Sequence, residues 1–167
     1  AVAAGAEVNS VAVKDGVVAL AIQAADKTDP GFVGFYRADT LAPLTHVVVG
    51  ALPDNLVFTP DGKTVLVANE GEPSEDYQRD PEGSISIIDI SNIARPGVRT
   101  ARFAAWDGKE QELRNQGVRI FGPSATPGVT ASASRDLEPE YIAVSADSKT
   151  AWATLQENNA LARIDIE

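Results

Sequence analysis

Neither cysteine nor methionine occurs among the 167 residues, and histidine occurs once, at His46. Without cysteine there is no disulfide, no thiolate zinc site and no cysteine nucleophile. A Ser-His-Asp mechanism would depend on His46 alone, and no His-rich zinc motif or phosphate-cradling glycine loop is present. No apolar run approaches the ~20 residues that a membrane-spanning helix needs. Positive charge is also scarce, with 14 Lys and Arg against 24 Asp and Glu and a net charge of -10. That balance argues against nucleic acid, whose binding rests largely on Lys and Arg contacts to phosphate. It argues equally against an anionic membrane surface. The missing methionine, with Ala1 first, leads to the expectation that a genetic start was removed by signal cleavage or that the chain is a piece of a longer protein.

What is present is an ordinary globular composition, 44% hydrophobic and 23% charged, which excludes a disordered chain. A Gly/Asp turn recurs between apolar runs. The copies are Ser10 to Ile22 around Asp15-Gly16, Leu56 to Ala68 around Asp61-Gly62, and Ile142 to Thr154 around Asp147-Ser148. Asp-Gly between alternating apolar runs is the strongest short hairpin signal. Asp15 and Asp61 are 46 residues apart, the length of one four-stranded propeller blade, typically ~40–50 residues. Asp61 and Asp147 are 86 apart, a blade plus an insertion. Asp107-Gly108 also lies 46 residues after Asp61, but polar, non-alternating residues follow it, so it belongs to the insertion.

A third strand follows each hairpin, at Gly31 to Arg37, Ser84 to Ile90 and Ala160 to Ile166. A fourth follows twice, near Leu44 to Val49 and Val98 to Phe103. The fold class expected is therefore all-β: a partial β-propeller with two full four-stranded blades, about residues 7–50 and 51–103, and one truncated blade, about 138–167. An insertion of about 104–137 should run mainly as irregular loop, because Pro123, Pro127 and four glycines interrupt it. Lys109 to Gln116 could form one or two helical turns. Closed propellers take at least four blades. The expected partner is thus the remainder of the propeller, or another chain, closing the sheet edges. A small three-sheet or sandwich-like β domain is the alternative.

In such blades the entry to strand one and the exit from strand two share a face. Pro53-Asp54-Asn55 and Asp136-Leu-Glu138-Pro139-Glu140 fall at the entries. Asn69-Glu70-Gly71-Glu72 and Gln156-Glu157-Asn158-Asn159 fall at the exits. The loop after Glu70 adds Glu75, Asp76, Asp80 and Glu82. Neighbouring unpaired carboxylates repel and raise one another's pKa. Their oxygens suit a hard cation. The expected metal ligands are Asp54, Glu70, Glu138 and Glu140, and the expected cofactor is calcium. The alternatives are a solvated acidic loop, or pairing of Glu140 with an arginine such as Arg135. Asp26-Lys-Thr-Asp29-Pro-Gly31 does not match an EF-hand loop and reads as a turn. Trp106 and Trp152 read as packing residues.

The motifs Asn69-Glu-Gly-Glu-Pro-Ser74, Asp80-Pro-Glu-Gly-Ser-Ile-Ser86, Asp136-Leu-Glu-Pro-Glu-Tyr-Ile142, Leu155-Gln-Glu-Asn-Asn-Ala160 and Gly117-Val-Arg-Ile-Phe-Gly122 resemble the choice-of-anchor I family. The resemblance covers nearly the whole chain. It implies a secreted or surface-anchored bacterial β-propeller, extracellular, periplasmic or on the cell surface, and some members are alkaline phosphatase-like. Two function classes follow. One is a calcium-dependent phosphoesterase acting on a phosphate ester, with metal on Glu138, Glu140, Asp54 and Glu70 polarising phosphate and activating water. The other is a non-catalytic propeller for binding or surface display.

Overall fold

The computed structural model describes residues 4–167. Three antiparallel sheets carry the chain. The first contains β1 (Glu7–Lys14), β2 (Val17–Gln23), β3 (Pro30–Arg37) and β4 (Pro43–Ala51), paired in that order. The second repeats the arrangement with β5 (Pro53–Phe58), β6 (Thr64–Asn69), β7 (Ser84–Asp89) and β8 (Gly97–Arg102). The third has β9 (Ile142–Val144), β10 (Thr150–Leu155) and β11 (Ala160–Asp165). Two complete blades and one three-stranded blade match the expectation from the repeat. Pro53-Asp54-Asn55, expected just ahead of its strand, opens β5 instead.

The hairpin turns show why the Asp-Gly signal works. Asp15 and Gly16 both have positive φ, 47° and 79°, as a two-residue turn between twisted strands requires. In the second and third turns the aspartate caps its own loop. Asp61 Oδ1 accepts from Thr59 Oγ1 (2.6 Å) and Lys63 N (3.1 Å), and Asp147 Oδ1 accepts likewise from Ser145 Oγ and Lys149 N. Ser148 takes the left-handed place of Gly62 at φ 64°. The three turns share one face. Asp61 N donates to Ser148 Oγ (3.1 Å), and a Cβ on Gly62 would meet Asp15.

The second sheet is buried on both sides. Side chains alternate between the two faces of a strand. Val65 and Val67 of β6, with Ile88 of β7, pack against Ala19, Ala21, Val33 and Phe35 of the first sheet. Leu66, Ala68, Ile85 and Ile87 pack against Ala151, Ala153 and Ile164 of the third. This double burial is why β6 reads Thr-Val-Leu-Val-Ala-Asn without polar alternation.

The first strands of consecutive blades lie side by side, so their free edges meet at the axis. Side chains satisfy them. Ser10 Oγ accepts from Leu56 N (3.2 Å), and Asn55 Oδ1 accepts from Ile142 N (3.2 Å). Asn9 and Asp54 are each skipped in the pairing of their strand with its neighbour, a bulge that turns the side chain out of the ladder.

The insertion contains a 3-10 turn (Ala104–Trp106) and two short helices, α1 (Glu110–Asn115) and α2 (Ala133–Asp136). It does not form a blade. Asp107, in the misleading Asp-Gly pair, holds Ser134 through its backbone N (2.8 Å) and its hydroxyl (2.9 Å). Leu113, Ile120, Ala133 and Leu137 form a small core against Leu155 of β10.

Leu66→Ala should cost about 2–5 kcal/mol, since Leu66 is fully buried between two sheets. Leu161→Ala, with Leu161 68% exposed, should fall within about 0.5 kcal/mol of the parent. Urea unfolding of the two variants checks the contrast.

Candidate functional site: an acidic cleft beside the propeller axis

The face opposite the hairpin turns is built from the β6–β7 loop, the entry to β9, the β10–β11 turn and the insertion. Close backbone approach brings these together. A Cβ at Gly83 would overlap the Leu137 carbonyl oxygen and stand 2.9 Å from Pro139 Cδ and 3.1 Å from the Glu70 carbonyl oxygen. Only glycine lets the start of β7 pass here, and that passage draws the backbones of Glu70 and Glu138 together. Gly83 N also donates to Ser134 O (3.1 Å).

Asn158 is the second fixing point. It is fully buried. Its Nδ2 donates to Asp136 O (2.6 Å), Asp136 Oδ2 (3.0 Å) and Arg119 O (2.9 Å), and its Oδ1 accepts from Glu138 N (3.3 Å). One amide therefore ties the β10–β11 turn to both ends of the insertion's closing segment. Asp136, also buried, accepts in addition from Phe121 N and Gly122 N. Burial still pushes its carboxyl up, against the pull of those two N–H groups.

Between these elements lies a cleft of about 410 Å³. Glu72, Glu75, Asp80, Asp136, Glu138 and Glu157 line it, with Lys27 and Arg135 as its basic groups. Lys27, from the first blade, pairs with Glu72 of the second. Arg79 likewise clamps Asp26 and Asp29 across the same boundary. The 26–31 segment is a turn, as expected: Asp26 Oδ1 accepts from Thr28 N (3.0 Å) and Thr28 Oγ1 (2.7 Å).

All four carboxylates expected as ligands lie on this face. Glu138 lines the cleft, while Glu140 lies closer to the axis, where the charge of Asp54 acts on it. The two diverge because ladder pairing begins at Glu140, whose N donates to Thr154 O (3.0 Å). Glu70 lies between them and feels Glu72, Asp54, Glu138 and Glu140 together. Burial, then those charges, push its carboxyl up to about 8. Burial, then Glu72 and Glu157, raise Glu138 to about 8 as well. Glu140 is raised to about 7 by burial and by a carboxyl–carboxyl hydrogen bond with Glu157. Asp54 is raised by burial and by Glu72. Glu140 is not neutralised by Arg135, whose charge acts on Asp80.

Glu72, Asp80 and Glu157 are members that the sequence reading placed on this face without choosing them. The signal was available: Glu157 stands two residues past the end of β10, in the exit turn whose counterpart in the second blade Glu70 opens one residue past the end of β6. Among the described residues no three carboxylates converge in a geometry that would hold a metal ion as the side chains stand. The chemistry of the donor set nevertheless fits a hard cation. Asp80 Oδ1 is buried at the cleft without any hydrogen-bond partner.

The fold and this face define a class: a run of propeller blades carrying a crowded acidic rim. The chain belongs to the family described as the Choice-of-anchor I domain, whose sequence model matches residues 2–167. No curated protein matches it. Among solved structures it is similar to a chain of "Kuenenia stuttgartiensis Hydrazine Synthase" (14% identity, TM-score 0.57), covering 94% of this chain and 39% of that one. It is also similar to a chain of "Crystal structure of the eukaryotic initiation factor" (14% identity, TM-score 0.52), covering 96% of this chain and 30% of that one. At such identities the likeness concerns the fold alone. The chain spans less than half the length of either structure.

Glu70, Glu138 and Glu140 hold protons in the folded state that they lose near pH 4.5 when unfolded. The folded chain therefore binds more protons between pH 4.5 and 8, and stability must fall as pH rises through that window. Thermal unfolding should show a higher Tm at pH 5 than at pH 8.5. Glu138→Gln should flatten the slope and raise Tm at pH 8.5 by roughly 2–4 °C, the shift for about 1 kcal/mol in a domain of this size.

Proposed function

We propose that this chain is part of a larger, secreted or surface-associated β-propeller that displays the acidic cleft as a binding site for a hard divalent cation, calcium. The observation that carries the reading is Glu138 in the same cleft as the partnerless Asp80 Oδ1, with the Glu138 charge acting on the adjoining Glu70. A cation would relieve the repulsion, replace the shared protons and complete the orphan oxygen. Asp80 and Glu138 of the cleft would hold it, with Glu70 adjoining.

Family membership supports the surface-associated setting. Two exposed apolar sheet faces support further blades. Val11, Val13 and Val48 project from the outer face of the first sheet, and Trp152 and Leu161 from that of the third. Trp152, read from sequence as a packing residue, is 40% exposed here. These are the faces on which blades beyond residues 1–167, or another chain, would pack. Among the described residues, no helix is long and apolar enough to cross a membrane.

The non-catalytic reading is favoured over phosphoester hydrolysis, because of the two basic groups at the cleft Lys27 is paired with Glu72, which leaves Arg135 for a phosphate oxygen.

Calorimetric titration with calcium at pH 7 should show binding with proton release, read from the dependence of the heat on buffer ionisation enthalpy. Affinity should fall at pH 6, and Glu138→Gln or Asp80→Asn should weaken it at least tenfold. No binding by the parent chain would overturn the cation reading. Chelator-sensitive hydrolysis of p-nitrophenyl phosphate would move the assignment to the phosphoesterase.

A further inference from the structure

Among the described residues, the first blade reaches into the acidic cleft through a single side chain, Lys27. Its Nζ stands 2.5 Å from Glu72 Oε2. The two side chains are 35% and 43% exposed, so the pair sits where solvent ions can reach it. Glu72 is also the carboxylate that couples the cluster. After burial, its charge is the first to act on Glu70, on Glu138 and on Asp54.

The backbone of Glu72 is fixed on both sides. Gly71 before it has φ 76°, and a Cβ there would stand 2.8 Å from the Glu82 carbonyl carbon and from Gly83 N. Beyond Pro73, Ser74 N donates to Arg79 O (2.7 Å). Movement is left to the side chain of Glu72, which lines the same cleft as Asp80 and Glu138.

Lys27 is not what holds the two loops together. Asp26 and Asp29, on either side of it, are both taken by Arg79 of the β6–β7 loop. Thr28 is buried and closes the turn on Asp26. The ammonium can therefore leave Glu72 while Arg79 keeps the first blade in place.

We propose that Lys27 is the resident counter-ion of the cleft and that Glu72 is a further cation ligand which it withholds: a divalent cation entering beside Asp80 and Glu138 displaces the ammonium and takes Glu72. This inference rests on the cation reading of the cleft and adds its regulation. Calcium takes ~6–8 oxygen ligands, more than the carboxylates of Asp80 and Glu138 supply. Two charges on the ion against one on the ammonium favour the exchange at Glu72. The displaced ammonium keeps its proton and turns to water. Lys27 thereby sets the calcium concentration at which the cleft fills.

The test uses the whole chain and calcium chloride. Lys27→Gln should tighten calcium binding about threefold, the size of a partly exposed ion pair. Removing a positive charge near the ion would do the same, so the deciding measurement is Glu72→Gln made in the Lys27→Gln chain. Loss of a ligand there should weaken binding about tenfold or more. Glu75→Gln in the same background removes an equal charge from the same loop and should weaken it less than about threefold. In the parent chain, acetylation of Lys27 by an N-hydroxysuccinimide ester should quicken on adding calcium. Lys149, paired with Glu167 away from the cleft, reports any general effect of salt and should not change. Calcium binding that Lys27→Gln leaves equal or weakens would overturn the proposal while the cation reading stands. So would Glu72→Gln no more costly than Glu75→Gln, or unchanged acetylation of Lys27 in the calcium-saturated chain. No calcium binding by either the parent or the Lys27→Gln chain would overturn both.

Discussion

Burial of the second sheet on both faces is the constraint on which the rest of the structure depends. A strand with Val65 and Val67 on one side and Leu66 and Ala68 on the other must be covered twice. Two further sheets must then stack on it, each turned by the shape of the sheet between them. With first strands adjacent, the three sheets converge on an axis, and the backbone groups facing it need partners. Ser10 and Asn55 supply them from one blade to the next. A polar residue in an otherwise apolar strand thereby couples neighbouring blades, since an unmade buried hydrogen bond costs about 1–3 kcal/mol.

The acidic face follows from the same geometry. Each blade brings its entry and its second-strand exit to one end of the axis, so carboxylates from different blades meet although they are far apart in the chain. The fold does not relax their repulsion by distance. Gly83 lets the backbones of Glu70, Leu137 and Pro139 close to contact, and Asn158 locks the entry segment to the β10–β11 turn. Carboxyls with protons shared at neutral pH are the consequence. Perturbed groups of this kind in a cleft are a recurrent mark of functional sites.

The insertion is the region where local pattern misleads most. Asp107-Gly108 stands at blade spacing, yet its aspartate serves to hold Ser134 at the start of a short helix. What prevents a hairpin there is the sequence after it. Lys109 to Asn115 present one apolar residue, Leu113, which suits a single helical turn packed on a small core and cannot line the face of a strand.

By itself the sequence determined the three hairpins, their turns and their blade spacing, because Asp-Gly between apolar runs leaves the backbone few alternatives. It also determined that Asp54, Glu70, Glu138 and Glu140 fall on one face, since the repeat alone assigns loops to faces. Tertiary structure decided how those carboxylates divide. The bulge at Asp54 and the start of pairing at Glu140 turned one set toward the axis, and Glu138 was left to the cleft with Glu72, Asp80 and Glu157. It also decided that Asp136 and Asn158 are buried supports rather than rim residues. A change of one residue in register reverses the side of a strand on which a side chain emerges, and register is set by contacts between blades that no local stretch of sequence contains.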